Sequence, residues 1–436
     1  VAARQWADAP PGLDFLRYDR AGALVARGDG AKIYDPISVA RSEVWGDRER
    51  LPERSFRYPP CVAVLFAPLG EMEPRTAWQL WRTGCVLLVV AGVGAAVAAA
   101  LTRERGALPA FLVVLLAFTP MYVANVAEGQ MNLLVFGLLA GAAFAFSRGR
   151  DRTAGALAGA AAAIKIAPVL LLLWFAWKRR WKPFFWGCGA IVAISWLLPV
   201  AVLGPSTAHA LLRQWAGMEQ PLVTEVDERP GSRANVAAVN IESQSLRGIL
   251  VRTCTPTPYF RLRDKPLEMD AGGASPGISV HGGRRWSPGA LRTAWMAAFF
   301  ALVAAAVFAT APRPGEEPAA AARRLPLEAG LVLALIPLVS PESRWIHFLV
   351  LAPACAALAA SLAAAERRGG TWWAAAIAGG LGAILLALPV FGAETLLAWG
   401  AAGWAGILVF IASALTLFAE RASGTTPAAV PAAPNS

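Results

Sequence analysis

Hydrophobic residues along this chain are gathered into long runs, separated by short turns that are mostly basic. Nine runs stand out, at 83–101, 107–124, 131–146, 184–203, 291–311, 327–339, 345–364, 372–391 and 395–419. Apolar runs of roughly 17–25 residues cross a hydrocarbon core as helices, and shorter ones are tolerated where protein surrounds them. The pattern predicts an all-α polytopic membrane protein. Basic residues favour the cytoplasmic side, and six clusters offer themselves: Arg103/Arg105, Arg148/Arg150/Arg152, Lys178/Arg179/Arg180/Lys182, Arg323/Arg324, Arg367/Arg368 and Arg421. The apolar stretch 154–177 is long enough to span but is basic at both ends, so a single crossing would put every later cluster outside. A re-entrant hairpin removes the conflict: the chain enters over 154–164, breaks near Lys165 to Pro168, where proline disrupts the helix, and returns over 169–177. All six clusters then share the cytoplasmic side.

That topology divides the chain into an outward-facing segment 1–82 with interfacial helices, helices and hairpin over 83–203, an outward polar loop over 204–289, helices over 290–420, and a disordered cytoplasmic tail over 421–436. The loop is too long to be a mere connector, so the outward material is where chemistry is expected.

Composition narrows the class. Of 436 residues 56% are hydrophobic and 16% charged, with a mean hydropathy of +0.49, well beyond an ordinary soluble domain. The net charge of +11 is spread over the turns, which argues for topology signals and against nucleic acid. Five scattered cysteines form no CxxC pair and three histidines no HExxH, so neither a disulfide framework nor a metal site is expected. No GxxxxGK[ST] or GxGxxG stretch is present to cradle a nucleotide, and no cofactor is expected. The excess of arginine over lysine and the abundant alanine suggest a GC-rich bacterial genome, hence a bacterial inner membrane.

Four segments carry candidate chemistry. In residues 12–36, "GLDFLRYDRAGALVARGDGAKIYDP", a helix starting near Asp14 puts Phe15, Tyr18 and Gly22 on one face with Arg17 beside them. A carboxylate at the membrane surface can take a proton from a sugar hydroxyl; Asp14 also suits a helix N-cap. Residues 56–70, "FRYPPCVAVLFAPLG", with Trp78 and Trp81, read as an interfacial anchor. Lys165 is an ionisable group within apolar sequence, either a functional charge or a side chain snorkelling from the hairpin tip; beside a phosphate it would stabilise the leaving group. In "SPESRWIHFLVLAP", residues 340–353, Glu342, Arg344 and His347 cluster at a helix start, where they can meet an acceptor or a phosphate or stay hydrogen-bonded at the surface.

The stretch 129–182, "GQMNLLVFGLLAGAAFAFSRGRDRTAGALAGAAAAIKIAPVLLLLWFAWKRRWK", resembles glycosyltransferase family 87, the polyprenyl-phosphate-mannose-dependent mannosyltransferases of the GT-C superfamily. It combines a Gly-Gln-x-Asn helix, a basic turn and an Ala-rich Lys-x-x-Pro hairpin. "DFLRYDRAGALVARGDGAKIYDP", "YPPCVAVLFAPLG", "SQSLRGILVR" and "SPESRWIHF" resemble further family blocks in order, from Asp14 to about Pro353. The resemblance implies a GT-C-type fold of about nine spanning helices plus the hairpin, with a further helix ahead of Asp14 that the sequence as given lacks. It implies inverting transfer of mannose from a lipid-linked donor, a polyprenyl phosphate, to a cell-envelope glycan or glycolipid acceptor, at the periplasmic or extracellular face. Asp14 matches the acidic residue of the first outward loop that such enzymes use as general base. Gln130, Asn132, Lys165, Gln244, Ser245, Trp345 and His347 match recurring positions where substrate contact is expected, and Arg17, Tyr18 and Arg344 join them from their placement. The chain departs from the family where Phe348 follows His347 in place of a second histidine, and where Ser243 opens the Gln244–Ser245 block. Beside this stand two other classes: a flippase for lipid-linked glycans, which predicts repeated halves with several intramembrane charges, and a scaffold subunit without chemistry.

Overall fold

The computed structural model describes residues 11–35, 56–100, 107–224, 243–254, 286–313, 316, 318–365, 369–388, 396–397 and 399–422. Among these the chain is helical, and the only pairing of extended backbone is an isolated bridge between Ser243 and Arg344. Leu13–Ala26 (α1) packs on Pro60–Gly70 (α2) through the face the sequence suggested: the Phe15 and Tyr18 rings lie 6.5 and 5.2 Å from that of Phe66. Tyr18 is fully buried there, while Tyr58 meets its ring edge-on at 5.1 Å.

Among the described residues, seven helices are long and apolar enough to cross a membrane: Pro74–Ala100 (α3), Ala107–Glu128 (α4), Trp181–Leu203, Pro288–Ala309, Trp345–Ala364, Gly370–Ala387 and Ala401–Arg421. Asn132–Ser147 (α5) is apolar but shorter, and Pro318–Val339 has the length but carries Arg323, Arg324 and Glu328. These nine coincide with the nine apolar runs of the sequence. The largest shifts are at α3 and at Pro318–Val339, each of which begins nine residues early. Pro74 suits a first helical position, and the Glu73 carboxylate accepts the Arg75 and Thr76 N–H groups at 3.0 and 2.8 Å, so the helix starts before its apolar stretch does.

The hairpin can be followed contact by contact. Asp151–Ile164 (α6) leaves the C-terminal end of α5, and its far end delivers Lys165 to Asn132 at the N-terminal end of α5. Val169–Trp177 (α7) then returns, because Trp174 and Phe175 come back to Phe146 on the last turn of α5, with ring centroids 5.6 and 5.1 Å apart. Arg180, just beyond, stands 5.9 Å over the same Phe146 ring. Entry and exit are therefore at one level and the tip at the other. Gly155 and Gly159 fix α6 against the next helix, Trp181–Leu203 (α8): a Cβ on either would collide with backbone at Pro183 or Gly187. The pairing 155 with 183 and 159 with 187 shows that α6 and α8 run in the same direction.

Segment 204–289, expected as a polar loop, contains two helices among its described residues, Pro205–Thr224 (α9) and Leu246–Cys254 (α10). In α9 Ala208 and Leu211 are buried, with Trp215 and Met218 packed behind them on the same helical stripe. That three-and-four spacing makes an amphipathic helix, which the polar composition of the whole segment obscured. Of the tail expected over 421–436, Arg421 and Ala422 end a helix, and 423–436 lie outside the described residues, as do Arg103, Arg105, Arg367 and Arg368.

The remaining helices, Pro288–Ala309 (α11), Pro318–Val339 (α12), Trp345–Ala364 (α13), Gly370–Ala387 (α14) and Ala401–Ala422 (α15), close the bundle. Near their basic ends lies a buried ionic cluster. Lys178 pairs with Glu328 at 2.9 Å and donates to the Thr310 carbonyl at 3.0 Å. Arg324 pairs with Glu328 at 2.9 Å and with Glu316. Arg421 donates to the Phe308 carbonyl at 3.3 Å. Four of the six basic clusters are thus at one end of the molecule, as a single hairpin requires.

Candidate active site

At the opposite end, four chain segments bring polar side chains together. Asp14 lies in the first turn of α1, one place inside a helix whose cap is Gly12 and not the aspartate. A carboxylate there is favoured by the helix dipole. Its Oδ1 accepts from Arg17 one turn on, at 2.6 Å, and its Oδ2 accepts from the Gln130 amide and lies 3.9 Å from the Arg344 guanidinium.

Gln130 comes from the turn between α4 and α5, which reverses through Gly129 at φ +66°, a conformation that favours glycine. The Gly129 carbonyl accepts the Trp81 indole N–H at 2.8 Å, which ties the turn to α3. Besides Asp14, the Gln130 amide donates to Glu128 at 3.0 Å, and Arg344 reaches the same Glu128 oxygen at 3.4 Å. Two carboxylates therefore share an amide and a guanidinium. The Asp14, Glu128 and Arg344 side chains retain 13, 21 and 23% of their exposure, so this end of the bundle is open.

Asn132 opens α5 and is buried. Its carbonyl oxygen accepts from Lys165 at the hairpin tip, and its amide donates to Asn125 at 2.9 Å and to Gln130 at 3.4 Å. Among the described residues Lys165 makes no salt bridge, whereas Arg17 and Arg344 both do. Of the acidic groups around it, Lys165 feels Asp14 most strongly, then Glu342. His347 accepts the Arg344 backbone N–H on Nδ1 at 3.2 Å. That bond puts the ring proton on Nε2 in the neutral tautomer.

The structure therefore joins Asp14, Arg17, Gln130, Asn132, Lys165, Arg344 and His347. Tyr18 stands at the edge, donating to the Tyr58 hydroxyl at 3.1 Å, and burial pushes both phenols well above the usual range. Gln244 and Ser245 are set apart. The Gln244 amide donates to the Leu397 carbonyl at 2.8 Å, and its oxygen accepts the Ala402 N–H at 3.2 Å. Ser245 donates to the Pro341 carbonyl at 3.2 Å. Both fasten the strand-like stretch that pairs with Arg344. Two site residues carried no motif in the sequence, Glu128 and Asn125. The available signal was the presence of a carboxylate and an amide inside or at the end of an otherwise apolar helix. Among the described residues no three His, Cys, Asp or Glu side chains gather as a metal site.

A bundle of membrane-spanning helices with a re-entrant hairpin and an open carboxylate site at one end defines a polytopic membrane enzyme. The model of glycosyltransferase family 87 matches residues 56–341, and the chain belongs to that family: it is a membrane glycosyltransferase. The matched stretch includes Gln130, Asn132, Lys165, Gln244 and Ser245; Asp14, Arg17 and Tyr18 precede it, and Arg344 and His347 follow it. No curated protein and no solved structure matches the chain.

Proposed function

We propose that this enzyme transfers mannose from a polyprenyl-phosphate donor to a hydroxyl of a cell-envelope glycan or glycolipid, with inversion, at the outward face of a bacterial inner membrane. The observation that supports it best is the pairing of a partly open carboxylate, Asp14, with a cation at the hairpin tip, Lys165, that no carboxylate neutralises directly among the described residues. Asp14 takes the proton from the acceptor hydroxyl. The oxygen so freed bonds to the anomeric carbon, and the bond from that carbon to the phosphate oxygen breaks. The electron pair leaves with the polyprenyl phosphate, whose growing negative charge Lys165 meets. One displacement inverts the centre, so a β-linked donor gives an α-mannoside.

Arg17 and Arg344 hold the Asp14 carboxylate from two sides, and Gln130 fixes its orientation. His347 presents Nε2–H as a donor for substrate oxygen. Gln244 and Ser245 act through the backbone they hold and Tyr18 through the packing of α1. The basic clusters at the opposite end support the outward placement. Labelled mannose supplied as polyprenyl-phosphate-mannose to proteoliposomes of the full chain tests the reading. Asp14→Asn should cut transfer by about 10²–10⁴-fold, the usual range for general-base catalysis. Undiminished transfer would remove Asp14 as the base, and a wild-type protein inert toward every lipid-linked sugar would remove the function.

A further inference from the structure

Asn125 is fully buried in the apolar helix α4, where an unpaired amide would be costly. Both ends of its amide are used. The nitrogen donates to the Met121 carbonyl one turn back at 2.7 Å and to the Ile346 carbonyl of α13 at 3.2 Å. The oxygen is thereby turned toward α5, where it accepts from Asn132 at 2.9 Å. Asn132 must then point its nitrogen at Asn125 and its oxygen at Lys165. A side-chain amide has a donor end and an acceptor end, so each one in the series dictates the sense of the next. Without the Asn125 oxygen, only the long 3.4 Å bond to Gln130 holds the sense of the Asn132 amide, which can then rotate and offer its N–H groups to the ammonium, which has no use for them.

We propose that Asn125 is a positioning residue: through the Asn132 amide it sets where Lys165 stands for the donor phosphate, and it ties that placement to the Ile346–His347 backbone. The proposal rests on the reading of Lys165 as the phosphate-binding cation. Its reach is mainly the donor half of the site: no direct contact runs from Asn125 to Asp14 or Arg17 among the described residues, and the indirect path through Asn132 and Gln130 passes over a long 3.4 Å bond.

The test is a double-mutant cycle on binding of a short-chain polyprenyl monophosphate to the full chain in nanodiscs, with the acceptor KM measured alongside. Lys165→Met and Asn125→Leu should each weaken binding about 5–10-fold, and the double variant should be no more than about 2-fold worse than Lys165→Met, since residues acting through one contact are non-additive. The acceptor KM should stay within about 2-fold for Asn125→Leu, a split that general loosening of the bundle does not produce. If Asn125→Leu fails to fold, Asn125→Thr repeats the cycle, because its hydroxyl can still back-bond within its own helix. Losses that multiply in the double variant, or an acceptor KM that rises in parallel, would overturn the positioning role and leave the phosphate reading intact. A wild-type protein that ignores polyprenyl monophosphate would overturn both.

Discussion

The two ends of this bundle use the same kinds of charged side chain to opposite effect. At the basic end Lys178 and Arg324 face Glu316 and Glu328, two cations against two carboxylates; Glu328 is wholly buried and the other side chains keep 5 to 12% of their exposure. At the Asp14 end, among the described residues, Arg17 and Arg344 pair with two carboxylates, Asp14 and Glu128, while a third cation, Lys165, bonds to the Asn132 amide, and most of these groups keep an opening to solvent. Glu342 is near enough for Lys165 and Arg247 to feel it, but no ion pair joins it to Lys165 among the described residues. A closed, balanced set of charges has nothing left for a ligand. An open set with one cation in excess does, and burial and balance separate the lock from the site more clearly than residue type.

The comparison breaks most visibly at Glu328. Glu328→Gln leaves Lys178 and Arg324 buried beside a neutral amide, and removing one partner of a buried pair typically costs about 3–5 kcal/mol. The apparent melting temperature in detergent should fall sharply, while kcat per folded molecule stays within about 2-fold because the lock touches no substrate. A loss of kcat at unchanged stability would mean that this end takes part in the chemistry.

The same change at the open end should behave the other way round. Glu128→Gln frees Arg344 and Gln130 from one of their two carboxylates, so both can settle on Asp14. Catalysis should fall by about 10-fold, equivalent to roughly 1.4 kcal/mol of transition-state stabilisation, with the melting temperature nearly unmoved because the groups are partly solvated. A fall as deep as that of Asp14→Asn would make Glu128 a candidate for the base.

Much of this contrast was legible in the sequence. The hairpin followed from requiring basic turns to agree, since charge bias is written residue by residue, and Lys165 stood out because a charge in apolar sequence is costly. Asp14 was legible as a helix-start carboxylate, although its cap position belongs to Gly12. What the sequence withheld depends on partners distant along the chain. Asn125 looks like one polar position in an apolar helix until Ile346, 221 residues later, supplies its carbonyl. Gln244 matches a family position, yet its amide is spent on Leu397 and Ala402, contacts that only packing creates. α9 was hidden because its stripe of Ala208, Leu211, Trp215 and Met218 is diluted by polar neighbours.

The smallest expected effect separates two carboxylates of one helix. Asp14 is surrounded by donors, whereas Asp19, five residues on, is 7% exposed and its Oδ1 has no hydrogen-bond partner among the described residues. Burial pushes the Asp19 carboxyl from 3.8 up to about 6, against the opposing pull of Arg20 and Arg27. The folded state therefore binds this proton more tightly than the unfolded chain. Its contribution to stability is present below the unfolded value and is lost as pH rises through about 6, because above that the buried group must carry its charge. Asp19→Asn removes the charge at every pH. Its melting temperature should exceed that of the wild type by roughly 1–2 °C at pH 8, the order expected for a change near 1 kcal/mol in a chain of this length, and the gap should close as pH falls below 4. Transfer should be unaffected, since Asp19 lies outside the Asp14 cluster. A gap that persists at low pH would show that the asparagine stabilises by packing, and one that opens as pH falls would show that the Asp19 carboxylate is paired and favoured in the folded state.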